Sequence, residues 1–187
     1  MSMRFRRPSE KTVKILQMVG IGVLVVGLGA APSPRALWRI FRELRMEDTP
    51  RNRKWIRRRL HALHEQKYVS VRDERYSLSE IGERVMRENR LWTLSIQKPS
   101  TWDGEWHLVV FDIPQQKSRV RIPFVRQLQN LGFAYYQRSV WLHPYPCEDE
   151  VREIAIFHDI LPFISFIRAT HLDGSSEYRK HFKLNTK

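Results

Sequence analysis

The chain has 187 residues, 42% hydrophobic and 28% charged, a composition that supports buried cores and excludes wholesale disorder. Its single cysteine, Cys147, excludes an internal disulfide framework and any Cys-rich zinc site, and fits a reducing, cytoplasmic setting. The formal charge is +13, and residues 1–95 carry nearly all the excess, with 21 Lys/Arg against 10 Asp/Glu, compared with 12 against 10 in residues 96–187. That asymmetry directs the first half at a polyanion: nucleic acid first, an anionic membrane surface second.

Residues 1–14 are basic (Arg4, Arg6, Arg7, Lys11, Lys14), and Ile15 to Ala31 follows as 17 residues with only Gln17 polar. A basic lead, an apolar stretch and small residues at its end are also the plan of a secretory signal peptide. As a membrane span the stretch falls short of the roughly 20 residues required, and Gly20, Gly22, Gly27 and Gly29 loosen it. Arg35, Arg39, Arg42 and Arg45 follow at once, which suits export poorly, and cleavage would remove a helix from the domain that follows. The expectation is a buried first helix in a soluble protein, with no membrane partner.

Ser33-Pro34 reads as an N-cap with proline at the first helical position, and Leu37, Ile40, Phe41 and Leu44 then recur at helical spacing. Thr49-Pro50 repeats the start signal. Its helix places Arg51, Arg53, Lys54, Arg57, Arg58 and Arg59 within nine residues, with no acid until Glu65 and an apolar stripe of Ile56, Leu60 and Leu63. Tyr68 to Val71 and Tyr76 to Leu78 flank a polar tip, Arg72 to Arg75, as a β-hairpin, and Ser79 caps a further helix from Glu80 to Asn89. Three helices, a hairpin and a closing helix spell a winged helix-turn-helix over residues 1–95, with Arg51 to Gln66 as its third helix. Leu91 to Asp103 lacks periodicity and serves as the linker.

Over residues 96–187 the reading changes. Leu108 to Phe111 is a continuous apolar run of β-formers, as in a strand covered on both faces, and Asp112 and Pro114 stop it. From Ser118, Val120, Phe124, Leu128 and Leu131 take helical spacing up to Gly132. Phe133 to Gln137 and Ser139 to Leu142 are strands, Cys147 to Phe157 a helix, and Phe163 to Thr170 a last strand. The order is βαββαβ, a ferredoxin-like unit. The fold class expected for the whole chain is therefore α+β, a winged helix followed by a ferredoxin-like domain. Such a sheet leaves one face uncovered by its own helices. Some of Phe111, Tyr135, Val140, Trp141 and Phe166 on its strands must therefore be buried by a partner or by the winged helix, and a homodimer formed through the C-terminal half is expected.

The string VVFDIP, a basic helix ending in Leu131-Gly132-Phe133, and Gln137-Arg138-Ser139-Val140-Trp141 resemble two related families: the PaaX-like transcriptional repressors and the CRISPR-associated Cas-two family of small dimeric ferredoxin-like proteins. The resemblance covers the C-terminal half and implies a winged helix before it. From the first family it implies a repressor of double-stranded DNA released by an acyl-CoA effector, although no residue here matches an effector site, so the small molecule stays open. From the second it implies that Asp112, closing the first strand in each of two subunits, holds Mg²⁺ for a nuclease, or that the chain is a non-catalytic partner in DNA integration. Against a metal stand Pro114, Gln115 and Gln116, where the nucleases often have further acids; on the other reading Asp112 caps the strand-to-helix turn and no cofactor is needed.

The strongest signal is the arginine-rich helix. A run of one sign repels itself unless it meets a polyanion, and arginine both neutralises phosphates and reads guanine edges. Arg51, Lys54, Trp55 and Arg58 lie opposite the apolar stripe, and Arg72 and Arg75 on the hairpin are placed to follow the backbone or enter the minor groove. Trp55 is open to a groove contact or to packing on a neighbouring helix. The histidines show no ligand pattern: His61 and His64 sit on the basic helix without a close partner, and His107, His143, His158, His171 and His181 are scattered.

Overall fold

A computed structural model describes residues 8–20, 32–72 and 75–184. The chain forms two compact units that divide between Arg90 and Leu91. The basic lead through Arg7, most of the glycine-rich end of the apolar stretch and the hairpin tip Asp73-Glu74 lie outside the described residues.

The first unit contains α1 (Glu10–Gly20), α2 (Pro34–Leu44), α3 (Pro50–Glu65), a hairpin of β1 (Val69–Arg72) and β2 (Arg75–Leu78), and α4 (Glu80–Leu91). The first helix starts earlier than its apolar run at Ile15. The Ser9 hydroxyl accepts from the Thr12 N–H, so the chain is already capped and turning when the first apolar side chains arrive. Ile15, Leu16, Met18 and Val19 are buried with Leu37, Ile40, Phe41 and Leu44 of α2 and with Ile56, Leu60 and Leu63 of α3, the stripes expected from their spacing. No helix among the described residues is long and apolar enough to cross a membrane. The hairpin joins the same core through Val69 and Tyr76. Gly82 is required where α4 meets it, because a Cβ at that position would lie 2.1 Å from the Tyr68 carbonyl oxygen.

The second unit contains β3 (Trp106–Phe111), α5 (Ser118–Asn130), β4 (Ala134–Gln137), β5 (Val140–His143), α6 (Glu148–Phe157), β6 (Ile164–Ala169) and α7 (Ser175–Phe182). Its four strands form an antiparallel sheet in the order β4-β5-β3-β6, so the central β3 is paired on both edges and buried on both faces, as its unbroken apolar run requires. Gly132, at φ 91°, turns the chain out of α5 into β4. A partly buried hydrogen bond between His158 Nε2 and Gln127 Oε1, 2.8 Å, ties the end of α6 to α5.

The two sheet faces divide differently from the expectation. Register places Val109 opposite both Trp141 and Phe166, and these residues join Phe111, Phe124, Leu128, Val151 and Ile154 in one core beneath α5 and α6. Phe111, Trp141 and Phe166 are thus covered by the unit's own helices and leave no vacancy for a partner. The opposite face carries Trp106, Leu108, Val140 and Leu142, and part of it is covered by a helix the sequence reading did not foresee. Leu172, Tyr178 and Phe182, on or just before α7, close over Trp106 with Trp102. Ile167, in register with Leu108, remains 48% exposed.

Candidate nucleic-acid interface

Two capped helices set the site. The Ser33 hydroxyl accepts from the Ala36 N–H at 3.3 Å to start α2, and Arg45 ends that helix in the left-handed conformation, turning the chain sharply. The Thr49 hydroxyl accepts from the Asn52 N–H at 3.2 Å to start α3. With Ile56, Leu60 and Leu63 buried, geometry forces the intervening residues outward, and Arg51, Lys54, Arg57 and Arg58 are all exposed. From Arg51 to Arg58 the helix advances roughly 10 Å, close to the width of a DNA major groove.

The six cations of α3 do not act alike. Arg53 forms a two-pronged pair with Asp48, Nε at 2.5 Å and Nη2 at 2.7 Å, which lowers the Asp48 pKa by hydrogen bond and charge together. Arg59 is half-buried and donates from Nε and Nη2 to Thr12 Oγ1 at 3.1 and 2.5 Å, clamping α1 to α3. Both are spent inside the unit. Arg51, Lys54, Arg57 and Arg58 form no ion pair among the described residues, so the free positive charge is narrower than the sequence count and concentrated on the outward face.

Around this face, Trp55 is 36% exposed with the Lys11 ammonium 5.8 Å from its ring centre, a contact with α1 rather than a fully open ring. Trp38 on α2, which sequence reasoning passed over, is 59% exposed with the Arg42 guanidinium 4.9 Å from its ring centre. His61 faces Glu65 at 3.9 Å, and His64 Nδ1 lies 3.1 Å from the Val69 carbonyl, so His64 donates to β1. On the hairpin, Arg72 and exposed Arg75 are register partners flanking its tip.

Asp112 does not cap the turn after β3. Its backbone N–H donates to the Phe163 carbonyl at 3.0 Å, its side chain is exposed without a hydrogen bond among the described residues, and the 3-10 turn at Gln115 begins with no side-chain cap. It is also absent from the one set of three metal-ligating side chains among the described residues. That set is Asp103, Glu105 and His107, whose ligand atoms all lie within 4.8 Å of one another, so His107 is not a scattered histidine. Acid and imidazole at alternate positions leading into a strand are the signal that sequence reading overlooked. Burial holds the His107 pKa below its ordinary value, and the Arg168 charge adds to this against Asp103, Glu105 and Glu148. His107 also borders a cavity of about 570 Å³ with Gln97, Pro99, Cys147, Glu148 and Arg168. Cys147 lies buried there, its thiol pushed up to about 12 by burial and by Glu150 and Glu148, so it is inert near neutral pH.

No curated protein matches the chain. Residues 99–180, from the end of the linker through most of α7, match the family described as the PaaX protein central Cas2-like domain, and the second unit is similar to that domain.

Proposed function

We propose that the protein is a PaaX-like DNA-binding transcriptional regulator, acting as a repressor, whose first unit is a winged helix that seats α3 in the major groove. The carrying observation is the row of four exposed cations on α3, unpaired among the described residues and presented by a helix pair that both caps hold in place. The order of three helices, hairpin and helix supports the winged-helix reading, with Arg72 and Arg75 on the wing, and the match over the second unit supports the family. Phosphate contacts from the free cations supply affinity, and arginine at base edges supplies sequence choice.

Selection of bound sequences from a random duplex pool, run with and without Mg²⁺, tests this. One preferred inverted repeat with intact DNA is the expected outcome. Cleavage dependent on Mg²⁺ or Mn²⁺ and abolished by Asp112→Ala would replace the regulator by a Cas2-type nuclease.

An inverted repeat requires two copies, and the Cas2-like unit is the place for a homodimer. The sheet face left partly open beside α7, around Val110, Val140 and Ile167, offers the apolar surface. The full chain is expected to sediment as a dimer at micromolar concentration, and Ile167→Glu to shift it toward monomer. A wild-type monomer at that concentration contradicts this assembly.

A further inference from the structure

We infer that Asp103, Glu105 and His107 form a binding site for one divalent first-row transition ion of the zinc or manganese class, at the entrance to β3 and separate from the Asp112 position. Three observations converge. The two carboxylates and the imidazole already bring ligand atoms within 4.8 Å of one another. Ligands at about 2.1 Å around a tetrahedral ion stand about 3.4 Å apart, so closure requires combined side-chain shifts of up to about 1.4 Å. Exposed Asp103 and half-exposed Glu105 can make that shift by rotating.

The second observation is His107 itself. It is only 5% exposed, and its Nε2 is buried with no hydrogen-bond partner among the described residues. A buried polar atom left unpaired costs free energy comparable to a lost hydrogen bond, and a ligand that engages the ring would recover it. The opposite side of β3 from His107 holds Trp106, clamped by Trp102 and α7, so the strand carrying the imidazole is rigid.

The third is the local charge. Glu148, at the start of α6, and Arg168, opposite His107 in register, pair at 3.8 Å beside the site. Glu148 is shared with Arg152 at 3.5 Å and so offsets the Arg168 charge only in part, while Asp103 and Glu105 bring two further carboxylates to the site. Gly104, at φ 88°, lets the chain fold so that the Glu105 N–H donates to Asp103 Oδ1 at 2.9 Å, orienting that carboxylate as an outer partner orients a metal ligand. One nitrogen with two oxygens suits Zn²⁺ or Mn²⁺ better than Mg²⁺, which prefers oxygen throughout. Three protein ligands leave positions for water or a small anion.

The test is calorimetric titration of the full chain with Zn²⁺, and separately with Mn²⁺. One ion per chain is expected for at least one of the two. Asp103→Asn with Glu105→Gln, isosteric changes at accessible positions, is expected to weaken it by roughly a hundredfold and each single change by roughly tenfold. His107→Gln should abolish it, and thermal unfolding without metal verifies that each variant is folded. Absence of saturable binding by both ions overturns the assignment, as does a double variant that keeps the wild-type affinity, since that binding would belong to surface histidines such as His171 and His181.

Discussion

Replacing Arg57 and Arg58 together by alanine is expected to weaken DNA binding about 60-fold at 0.1 M salt and to flatten the salt dependence. Each phosphate neutralised on duplex DNA contributes about 0.9 to the slope of log affinity against log salt. Extrapolated from 1 M, one contact is therefore worth about 0.9 log units at 0.1 M and two are worth about 1.8, on the order of 2.5 kcal/mol. Both side chains are exposed and neither is paired among the described residues, so removing them should leave stability nearly unchanged. Arg53→Ala and Arg59→Ala provide the contrast. Arg53 is held by Asp48, and losing Arg59 frees Thr12 and loosens α1, so the second should lower stability more than it lowers the slope. Affinity measured between 50 and 300 mM salt decides: a double variant with the wild-type slope places the DNA elsewhere.

That contrast marks the limit of what the sequence alone could tell. The stripe Ile56, Leu60, Leu63 determines which residues face out, because burial of apolar side chains dominates the helix's orientation. It says nothing about which outward cations are already engaged. Asp48 precedes α3 and Thr12 lies 47 positions away from Arg59, so neither partner is visible in the local pattern. In the second unit the apolar run of β3 and the periodicity of α5 were legible because each reports a single element. Which face each strand residue takes depends on register between strands, and that misplaced Phe111, Trp141 and Phe166. Helix α7 is eight residues long, begins after Gly174 with no capping side chain and buries no residue completely, so neither caps nor periodicity announced it. Asp112 drew notice because of its position after a strand. Asp103 and Glu105 drew none, since their meeting with His107 depends on the turn at Gly104.

Lowering the pH from 7 to below 4 is expected to cost the second unit about 3.5 kcal/mol through one side chain, His143. The residue is 2% exposed at the end of β5, among the rings of Phe133, Tyr145 and Phe182. Burial lowers its pKa from 6.5 to about 4, with the Lys98 and His107 charges adding to the effect against a hydrogen bond to Tyr145. Nδ1 lies 3.2 Å from both the Tyr145 nitrogen and the Tyr145 carbonyl oxygen, so the neutral ring can accept from the N–H, an interaction a protonated ring gives up to donate to the carbonyl. Above pH 6.5 both folded and unfolded chains hold a neutral ring, and this stabilising difference is fully present. As the pH falls through 6.5 the unfolded chain takes up a proton that the folded one refuses. Stability then declines until the folded ring also titrates near 4, and it is level below that. A difference of about 2.5 pH units at about 1.4 kcal/mol each gives the stated loss. His107, also held low, titrates in the same direction, so the comparison must be with His143→Gln, which keeps an acceptor for the Tyr145 N–H and cannot be protonated. Urea unfolding at a series of pH values should show a markedly shallower decline in that variant, whereas parallel declines would assign the acid sensitivity to other groups.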